Sequence, residues 1–539
     1  MRILRRILLR CPRLAPLALV ATLAGPALPP AGAASPDAKL EIRHGDHIAI
    51  IGNTLADRMQ HDGWLEANVV SRFPKHDLVL RNLGFSADEL TLRLRSDGFG
   101  TPDQWLTATE TDVILAFFGY NESFQGQEGL AAFKKDLEDF ITATRAQKYH
   151  GERAPRLVLF SPIAHEDLHD RNLPDGAENN TRIALYTDAM AEVARANAVP
   201  FVDLFRPTRA LFAEAAKPLT INGIHLTPDG DRELARVIDK ALFSDEPARD
   251  PRALERLRQA ILDKNFTWYN RYRTTDGYSI HGGRADLQFV GGQTNRVVMR
   301  REMEVLDVMT ANRDRRIWAV ARGGDLKVDD SNTPPFISVR TNKPGAGPNG
   351  EHLFLDGDEA ITRMTVARGM KVNLFASEKQ FPELAKPVQM SFDARGRLWV
   401  AAWPSYPHWK PKEEMNDKLL IFEDADGDGR ADACKTFADR LHNPTGFEFV
   451  RGGVLVAQAP ALVLLKDTNG DDTADVRIRV LEGLDTADTH HTANSFQADP
   501  GGAIYFQEGT FHHTQVETPY GPPRRNVDAG VFRYEPVAQ

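Results

Sequence analysis

The apolar and polar positions of residues 40–243 fall into two alternating kinds of segment. Short apolar runs, typical of strands buried on both faces, read "HIAIIG", "DLVLRNLG", "DVILAFFG", "RLVLFSP" and "VPFVDLF". Between them lie amphipathic stretches that predict helices, for example residues 130–147 and 180–198. The alternation predicts an α/β sandwich with a parallel sheet, and we expect its chemistry at the carboxyl ends of the strands.

The pattern changes twice along the rest of the chain. Residues 247–323 are more helical and rich in Arg, and residues 324–362 hold several Pro and Gly residues that indicate a linker. From residue 363 onward, short apolar strands alternate with Gly-containing turns. We therefore predict an α/β domain at 35–246, a helical extension packed on it at 247–323, a linker at 324–362 and an all-β domain at 363–539.

Aromatic residues cluster in one segment of the extension, "NFTWYNRYRTTDGYSIHGGR". Trp268, Tyr269, Tyr272 and Arg273 are candidates for stacking on a sugar ring. The alternative is that they pack a helix against the α/β domain, and this is the interpretation we favour.

The N-terminal segment has a different character. A mostly apolar run at 14–24 follows five basic residues and precedes small residues at 31–35; the basic residues are Arg2, Arg5, Arg6, Arg10 and Arg13. This layout predicts a secretory signal peptide at 1–34, cleaved near 33–35. The run is shorter than the roughly 20 apolar residues of a membrane span. We expect a periplasmic or secreted protein without a stable membrane span after cleavage, the alternative being an uncleaved anchor.

Charge and cysteine content limit the partners, disulfides and cofactors to be expected. The net charge of −9 is modest and spread along the chain, so nucleic acid is not an expected partner. Signal cleavage removes Cys11 and leaves Cys434 alone, which excludes an intramolecular disulfide. No CxxCH occurs, so covalent c-type haem is not expected.

Four short blocks lie at or after the predicted strand ends. "IAIIGNT" ends in Thr54, "RNLGFS" contains Gly84, "FFGYNES" contains Gly119 and Asn121, and "NGIHLTPDG" contains Asn222 and His225. In order and spacing these blocks resemble those of the SGNH (GDSL-like) hydrolases. The resemblance covers about residues 40–245. It implies a flavodoxin-like, three-layer sandwich with a parallel sheet.

The resemblance also implies an ester-hydrolase site, with an acylated carbohydrate as the substrate and no cofactor. Thr54 takes the nucleophile position, His225 the position of the base and Asn222 the position of the family's Asp. The backbone N–H groups of Thr54 and Gly84 and the side chain of Asn121 form the implied oxyanion hole. A carbohydrate or acylated polysaccharide is therefore the expected partner.

Two positions depart from the family pattern. Thr54 carries an extra methyl group where the family has Ser, which restricts the rotamers that aim the oxygen. Asn222 adds no negative charge beside His225, and its amide favours the wrong tautomer; the same change in a serine-protease triad lowers kcat by about 10⁴. Two readings remain open, a Thr-His esterase and a catalytically degenerate carbohydrate-binding protein.

The all-β region repeats a simple unit of an aromatic strand, a Gly turn and a second apolar strand. Asp424 and Asp467 mark equivalent loops 43 residues apart, within the 40–50-residue blade period of β-propellers. About three units fit into the chain, so we predict an incomplete propeller. The segments "THHTANSF" and "EGTFHHTQVETPYGPP" make this region resemble a propeller of the membrane-bound dehydrogenase type, which is similar to glucose/sorbosone dehydrogenases. In large exported bacterial haem-binding proteins, such a propeller follows an SGNH domain. The haem c module is absent here, and a fragment of a sugar dehydrogenase is the third reading of function.

Two acidic loops, "DADGDGRAD" and "DTNGDDTAD", have the spacing of calcium-binding loops. Their candidate ligands are Asp424, Asp426, Asp428 and Asp432 in the first loop and Asp467, Asn469, Asp471 and Asp475 in the second. The alternative is a metal-free hairpin turn.

Histidines occur twice as neighbours in this region, as His490 and His491 and as His512 and His513. They are candidates for lining the propeller channel, as a base or as metal ligands. The alternative is that they form hydrogen bonds to structural loops. Adjacent residues of a strand point to opposite faces, so at most one member of each pair faces a given site.

Overall fold

The structure, a computed structural model, describes residues 39–245, 247–339, 343–450 and 452–536. The predicted signal peptide at 1–34 lies outside the described residues.

A five-stranded parallel sheet organises the first part of the chain, as predicted. The strand order is β2-β1-β3-β4-β5, with β1 (His47–Gly52), β2 (Val79–Asn82), β3 (Val113–Phe117), β4 (Arg156–Phe160) and β5 (Phe201–Val202). Successive residues of β1 enter different cores, since Ile48 and Ile50 pack on one face of the sheet and Ala49 and Ile51 on the other. Both faces are buried, which explains the uninterrupted apolar runs.

Helices cover both faces of this sheet. They are α1 (Thr54–Asp62), α2 (Trp64–Arg72), α3 (Pro102–Ala108), α4 (Tyr120–Ser123), α5 (Gly126–Ala146), α6 (Ala177–Ala196), α7 (Phe205–Glu214) and α8 (Pro228–Phe243). Helix α5 buries Phe133, Leu137 and Ile141, which are spaced at one face of a helix. No helix in the described part of the chain is both long and apolar enough to cross a membrane.

The extension consists of α9 (Pro251–Tyr272), α10 (Gly277–Ile280) and α11 (Asn295–Ala321), with the short strands β6 (Gln288–Val290) and β7 (Gln293–Thr294). Buried contacts attach α9 to the sandwich: Lys264 Nζ donates to Glu66 Oε2 at 2.6 Å, and Trp268 Nε1 donates to Asn82 O at 2.8 Å. Trp268 and Tyr272 are buried in the core, as the packing interpretation of the aromatic segment expects.

The C-terminal region consists of α12 (Gly357–Thr362) and three open antiparallel sheets. The first sheet holds β8 (Pro387–Phe392), β9 (Leu398–Ala402), β10 (Asp417–Glu423) and β11 (Ala433–Leu441). The second holds β12 (Gly446–Val450), β13 (Gly453–Gln458), β14 (Ala461–Lys466) and β15 (Val476–Glu482), and the third holds β16 (Asn494–Ala498), β17 (Ile504–Thr518) and β18 (Gly521–Tyr534). Neighbours in sequence pair in each sheet, and the two acidic loops join the third strand to the fourth in the first and second sheets. The sheets do not close into a barrel within the described ranges, and the propeller stays a prediction.

The all-β region is docked on the edge of the sandwich where the parallel strands end. Arg58 and His61 of α1 contact Glu482 at 3.1 and 3.2 Å. Ser96 Oγ donates to Asp485 at 2.8 Å. This docking places the hairpin of β17 and β18 over the predicted hydrolase site.

Candidate active site

Thr54 begins α1 directly after β1. Gly52 has a φ of 134°, and a Cβ there would lie 2.0 Å from Phe117 O, so only glycine permits the turn. Asn53 caps α1 by accepting the N–H of Leu55. As the first residue of the helix, Thr54 has a backbone N–H that is not used within the helix. Its Oγ1 accepts the N–H of Ala87 at 3.0 Å.

The loop after β2 is fixed by side chains from three directions. Ser86 N and Oγ donate to Asp57 Oδ2, and Leu90 N donates to Glu122 Oε1 at 2.9 Å. Gly84 N donates to Asn82 Oδ1 at 2.8 Å. In this conformation Asn82 thus holds the N–H group that is predicted as an oxyanion donor, and the oxyanion role of Gly84 stays a prediction.

Asn121 lies in the short helix α4, after the turn at Gly119. Glu122 Oε2 accepts the N–H of Gly119 at 2.9 Å, which holds the turn in place. Burial raises the pKa of the Glu122 carboxyl to about 7. The turn places the Asn121 side chain in the buried interior beside the loop after β2.

Asn222 and His225 share a tight loop before α8. The buried carboxylate of Glu166 orients this loop by accepting the N–H groups of Leu219 and Thr220. Asn222 Oδ1 accepts the backbone N–H groups of Ile224 and His225, so its Nδ2 is the atom that faces His225 Nδ1, at 3.1 Å. A ring nitrogen that faces an amide N–H must act as the acceptor.

The neutral tautomer of His225 follows from these contacts. Burial lowers the pKa of His225, which favours the uncharged ring. Because Nδ1 accepts from Asn222, the single ring proton lies on Nε2. In this state Nε2 of His225 carries the proton and cannot accept one from Thr54.

Glu517 near the end of β17 enters the same site. Its Oε2 accepts from Asn121 Nδ2 at 2.9 Å, and its Oε1 lies 3.3 Å from His225 Nε2, close but too poorly aligned for a hydrogen bond. Thr54, Asn121, His225 and Glu517 are 1, 3, 3 and 5% exposed. The site is therefore closed, and its amide and imidazole face a carboxylate from the C-terminal region.

Thr54 and His225 do not form a hydrogen-bonded dyad in this conformation. His225 Nε2 has no hydrogen-bond partner among the described residues, and Thr54 Oγ1 is bonded to Ala87 instead. The sequence blocks thus reach one site, but the nucleophile and the base are not engaged with each other.

Glu517 is a site residue that the sequence pattern does not predict. It lies within "EGTFHHTQVETPYGPP", a segment that carries the resemblance to the dehydrogenase-type propeller, and the Glu itself has no local signature. Arg273, a candidate for stacking on a sugar, instead donates to Asp57 Oδ2 and Gly84 O, so it supports the loop after β2.

The first acidic loop brings three of its predicted ligands together: ligand atoms of Asp424, Asp426 and Asp432 lie within 4.8 Å of one another. Asp428 instead accepts the N–H of Arg430. In the second loop all four predicted ligands accept backbone N–H groups. Asp467 accepts those of Gly470, Asp471 and Asp472. Asn469 accepts the N–H of Asp471, Asp471 accepts the N–H of Thr473, and Asp475 accepts the N–H of Thr468. Backbone capping accounts for these contacts, and calcium stays a prediction.

The four histidines of the predicted channel have different surroundings. His512 is fully buried, 3.9 Å from Glu508, and His513 Nδ1 contacts Arg95 O at 2.5 Å. His490 and His491 are each almost half exposed and flank Asp488. The expectation that neighbouring residues of β17 face different ways agrees with the separate partners of His512 and His513.

Comparison with known families supports the class of the first domain. Residues 45–233 match the GDSL-like Lipase/Acylhydrolase family, and residues 356–539 match Domain of unknown function (DUF7133). Residues 45–233 are therefore similar to GDSL-like hydrolases, and residues 356–539 are similar to a domain whose function is unknown. No curated protein matches the chain.

Solved structures resemble part of this chain at low identity. A catalytic mutant of an acetylxylan esterase from Geobacillus stearothermophilus is 14% identical and covers 39% of this chain and 100% of its own, with a TM-score of 0.31. Another acetyl xylan esterase is 16% identical, with coverages of 36% and 100% and a TM-score of 0.28. A gut microbial diltiazem-metabolizing enzyme is 18% identical; the match covers 38% of this chain and 48% of that enzyme, with a TM-score of 0.30. Similarity at this level says nothing about the substrate.

Proposed function

We propose that the GDSL-like domain hydrolyses ester bonds of an acylated carbohydrate, with acetyl as the acyl group. One observation carries the proposal: Asn121 Nδ2 and His225 Nε2 face the two oxygens of a single carboxyl group, that of Glu517. A carboxyl group has the size and planarity of an acetyl ester. The pocket is therefore suited to a small acyl group, with Asn121 as the donor to the developing oxyanion.

The proposed reaction begins at Thr54. Its Oγ1 attacks the acyl carbon while His225 Nε2 takes its proton, and the intermediate collapses as His225 returns that proton to the departing sugar oxygen. Water then attacks the acyl-Thr54 ester with His225 again as the base. The products are free acetate, the deacylated sugar and regenerated Thr54.

Turnover requires a rearrangement around Asn222. His225 can accept a proton at Nε2 only when its ring proton lies on Nδ1, where it meets the amide N–H of Asn222. The Asn222 amide must then rotate, giving up the bonds from Ile224 and His225 N–H to Oδ1. We expect slow hydrolysis for this reason.

A second candidate function is carbohydrate binding without hydrolysis. The orientation of the Asn222 amide favours it, since that orientation keeps the proton on His225 Nε2. The two candidates differ in whether bound ester is turned over.

The test measures hydrolysis of p-nitrophenyl acetate and acetylated xylan by residues 35–539, both with Glu517 and with Glu517→Ala. Thr54→Ala and His225→Ala should abolish turnover. Thr107→Ala, an exposed threonine on α3, is the matched control and should not change it. Ester binding without turnover in every variant would reject hydrolysis and leave the binding function.

Export is part of the proposal, on the strength of the predicted signal peptide. Cell fractionation of the expressed full chain should recover a shortened protein from the periplasm or the medium. Recovery of the uncleaved chain from the membrane or cytoplasm would reject it.

A further inference from the structure

The tip of the β17–β18 hairpin lies against the rim of the hydrolase pocket. Tyr120 Oη donates to Thr518 O at 3.2 Å, and Asn179 Nδ2 donates to Pro519 O at 2.9 Å. Both contacts follow Glu517 directly along the chain. They fix the strand end so that the Glu517 side chain points inward, to Asn121.

The hairpin is also attached on the other side of the pocket. Gln515 Nε2 donates to Asp88 Oδ1 at 2.8 Å, and Arg525 donates to Ala87 O at 2.9 Å and to Glu89 at 2.6 Å. These acceptors belong to the loop after β2, which also carries the N–H bonded to Thr54. The hairpin thus bridges the two walls of the site.

Burying a carboxylate here is costly unless donors receive it. Asn121 Nδ2 supplies a hydrogen bond and the neutral His225 supplies an N–H dipole at 3.3 Å. The Asn222 contact that makes His225 unsuitable as a base also keeps its ring proton on Nε2, the nitrogen that faces Glu517 Oε1. In the closed arrangement the Glu517 carboxylate therefore faces one hydrogen-bond donor, Asn121 Nδ2, and one N–H dipole, that of His225.

Glu517 and an ester substrate compete for the same atoms. Asn121 has one amide group, and it cannot be bonded to Glu517 and to an acyl oxygen in the same place. Thr54 Oγ1 has no route to an acyl carbon while the site is 95% or more buried beneath the hairpin. Binding of substrate requires the Glu517 side chain to leave.

We propose that the C-terminal hairpin is an intramolecular inhibitor of the hydrolase domain, with the Glu517 carboxylate occupying the position of the substrate's acyl group. The mechanism of release is movement of the hairpin tip at residues 517–521, and the inference rests on the proposed ester hydrolysis. A tethered competitor acts at an effective concentration on the order of millimolar or more, so weak intrinsic affinity is enough to keep the site closed.

The experiment compares the full chain with Glu517→Ala, Glu517→Gln and Asp528→Asn. Asp528 lies exposed on β18 with a φ of 73°, which Asn tolerates, so its replacement removes a carboxylate from the same hairpin without touching the pocket. Two quantities are measured: kcat/KM for p-nitrophenyl acetate, and binding of acetate by calorimetry. Thermal melting establishes that each variant is folded.

We expect Glu517→Ala to raise kcat/KM about tenfold or more, as for removal of a competitor that fills most of the sites. We also expect it to create an acetate site that the parent chain lacks. Glu517→Gln keeps the shape of the side chain but loses its charge, so its effect should be smaller in both measurements. Asp528→Asn should match the parent. If Glu517→Ala does not fold, Glu517→Gln is compared with Asp528→Asn instead. The inhibitor then requires a higher kcat/KM and tighter acetate binding in Glu517→Gln than in Asp528→Asn.

The two measurements separate failure of the inhibitor from failure of the hydrolase. Acetate binding to Glu517→Ala without turnover of any ester supports the inhibitor and rejects hydrolysis. Equal acetate binding and equal turnover in the parent and Glu517→Ala overturn the inhibitor. Slower turnover in Glu517→Ala than in the parent also overturns it, because Glu517 would then assist the reaction.

Discussion

The amide nitrogen of Asn222 lies 3.1 Å from Nδ1 of His225, and the amide oxygen accepts two backbone N–H groups of the same loop. The two backbone donors fix which end of the amide faces the ring, and the amide in turn fixes the position of the ring proton. An Asp at this position accepts from the same backbone groups and also accepts Nδ1–H. The difference between Asn and Asp is therefore a difference in which His225 nitrogen can act as a base.

Asn222→Asp should activate the site only when Glu517 is removed. With Glu517 present, His225 would lie between two carboxylates, which raises its pKa and holds it as a charged partner of both. In the Glu517→Ala background, the same change should raise kcat/KM for p-nitrophenyl acetate by about tenfold or more, within the range of about 10⁴ known for the reverse change in a triad.

Asn222→Ala is the matched control for that prediction, because it removes the amide without supplying an acceptor. NMR titration of His225 should give a higher pKa in Asn222→Asp than in the parent. If Asn222→Asp/Glu517→Ala has no higher kcat/KM than Glu517→Ala alone, the role assigned to Asn222 is contradicted.

Thr54→Ala should destabilise the hydrolase domain as well as inactivate it. The variant leaves the buried N–H of Ala87 without its acceptor, which costs about 1–3 kcal/mol. Thr54→Ser keeps the oxygen and removes only the methyl group, so it should retain most of the stability and, with Glu517→Ala, at least the turnover of Thr54. Urea denaturation is the measurement; equal loss in the Ala and Ser variants would contradict the hydrogen-bond explanation.

Lys264→Met should strongly destabilise the contact between the extension and the sandwich. Lys264 and Glu66 form a buried pair at 2.6 Å, and removing only the lysine leaves an uncompensated buried carboxylate at a cost of about 3–5 kcal/mol. Lys264→Met/Glu66→Leu removes both charges and should recover most of that loss. The measurement is the denaturation midpoint of Lys264→Met and of Lys264→Met/Glu66→Leu. Equal midpoints for these two variants would contradict the prediction.

Glu508→Gln should flatten the dependence of stability on pH. Burial raises the pKa of the Glu508 carboxyl to about 8, so the folded chain keeps a proton that the unfolded chain releases above its ordinary value of 4.5. The free energy of unfolding should therefore fall as pH rises through this window, by at most about 1.4 kcal/mol per pH unit from this group. The Gln variant lacks this contribution.

Denaturation of the parent and Glu508→Gln between pH 5 and 8 measures the effect, with Glu414→Gln as a control at an exposed position. Parallel pH profiles for the parent and Glu508→Gln would show that the carboxyl is ionised in the folded chain throughout.

The five strands and the four motif blocks were predictable because their signals are local. An apolar run with a glycine at its end identifies β1 and Thr54, since Gly52 is required by contact with Phe117 at a neighbouring strand. Parallel pairing then places the blocks of Asn121 and His225 near the same edge of the sheet. The packing of α9 was the favoured of two interpretations of its aromatic cluster, and the burial of Trp268 and Tyr272 agrees with it.

The state of the site was decided only by the tertiary structure. Which end of the Asn222 amide faces His225 depends on two backbone N–H groups that the loop orients. The N–H of Gly84 is bonded to Asn82, a contact that the sequence did not indicate. Glu517 reaches Asn121 through the docking of a hairpin far along the chain. Sequence alone determined which groups could form a hydrolase site; long-range packing decided that a carboxylate fills it, because contacts between distant segments leave no periodicity in the sequence.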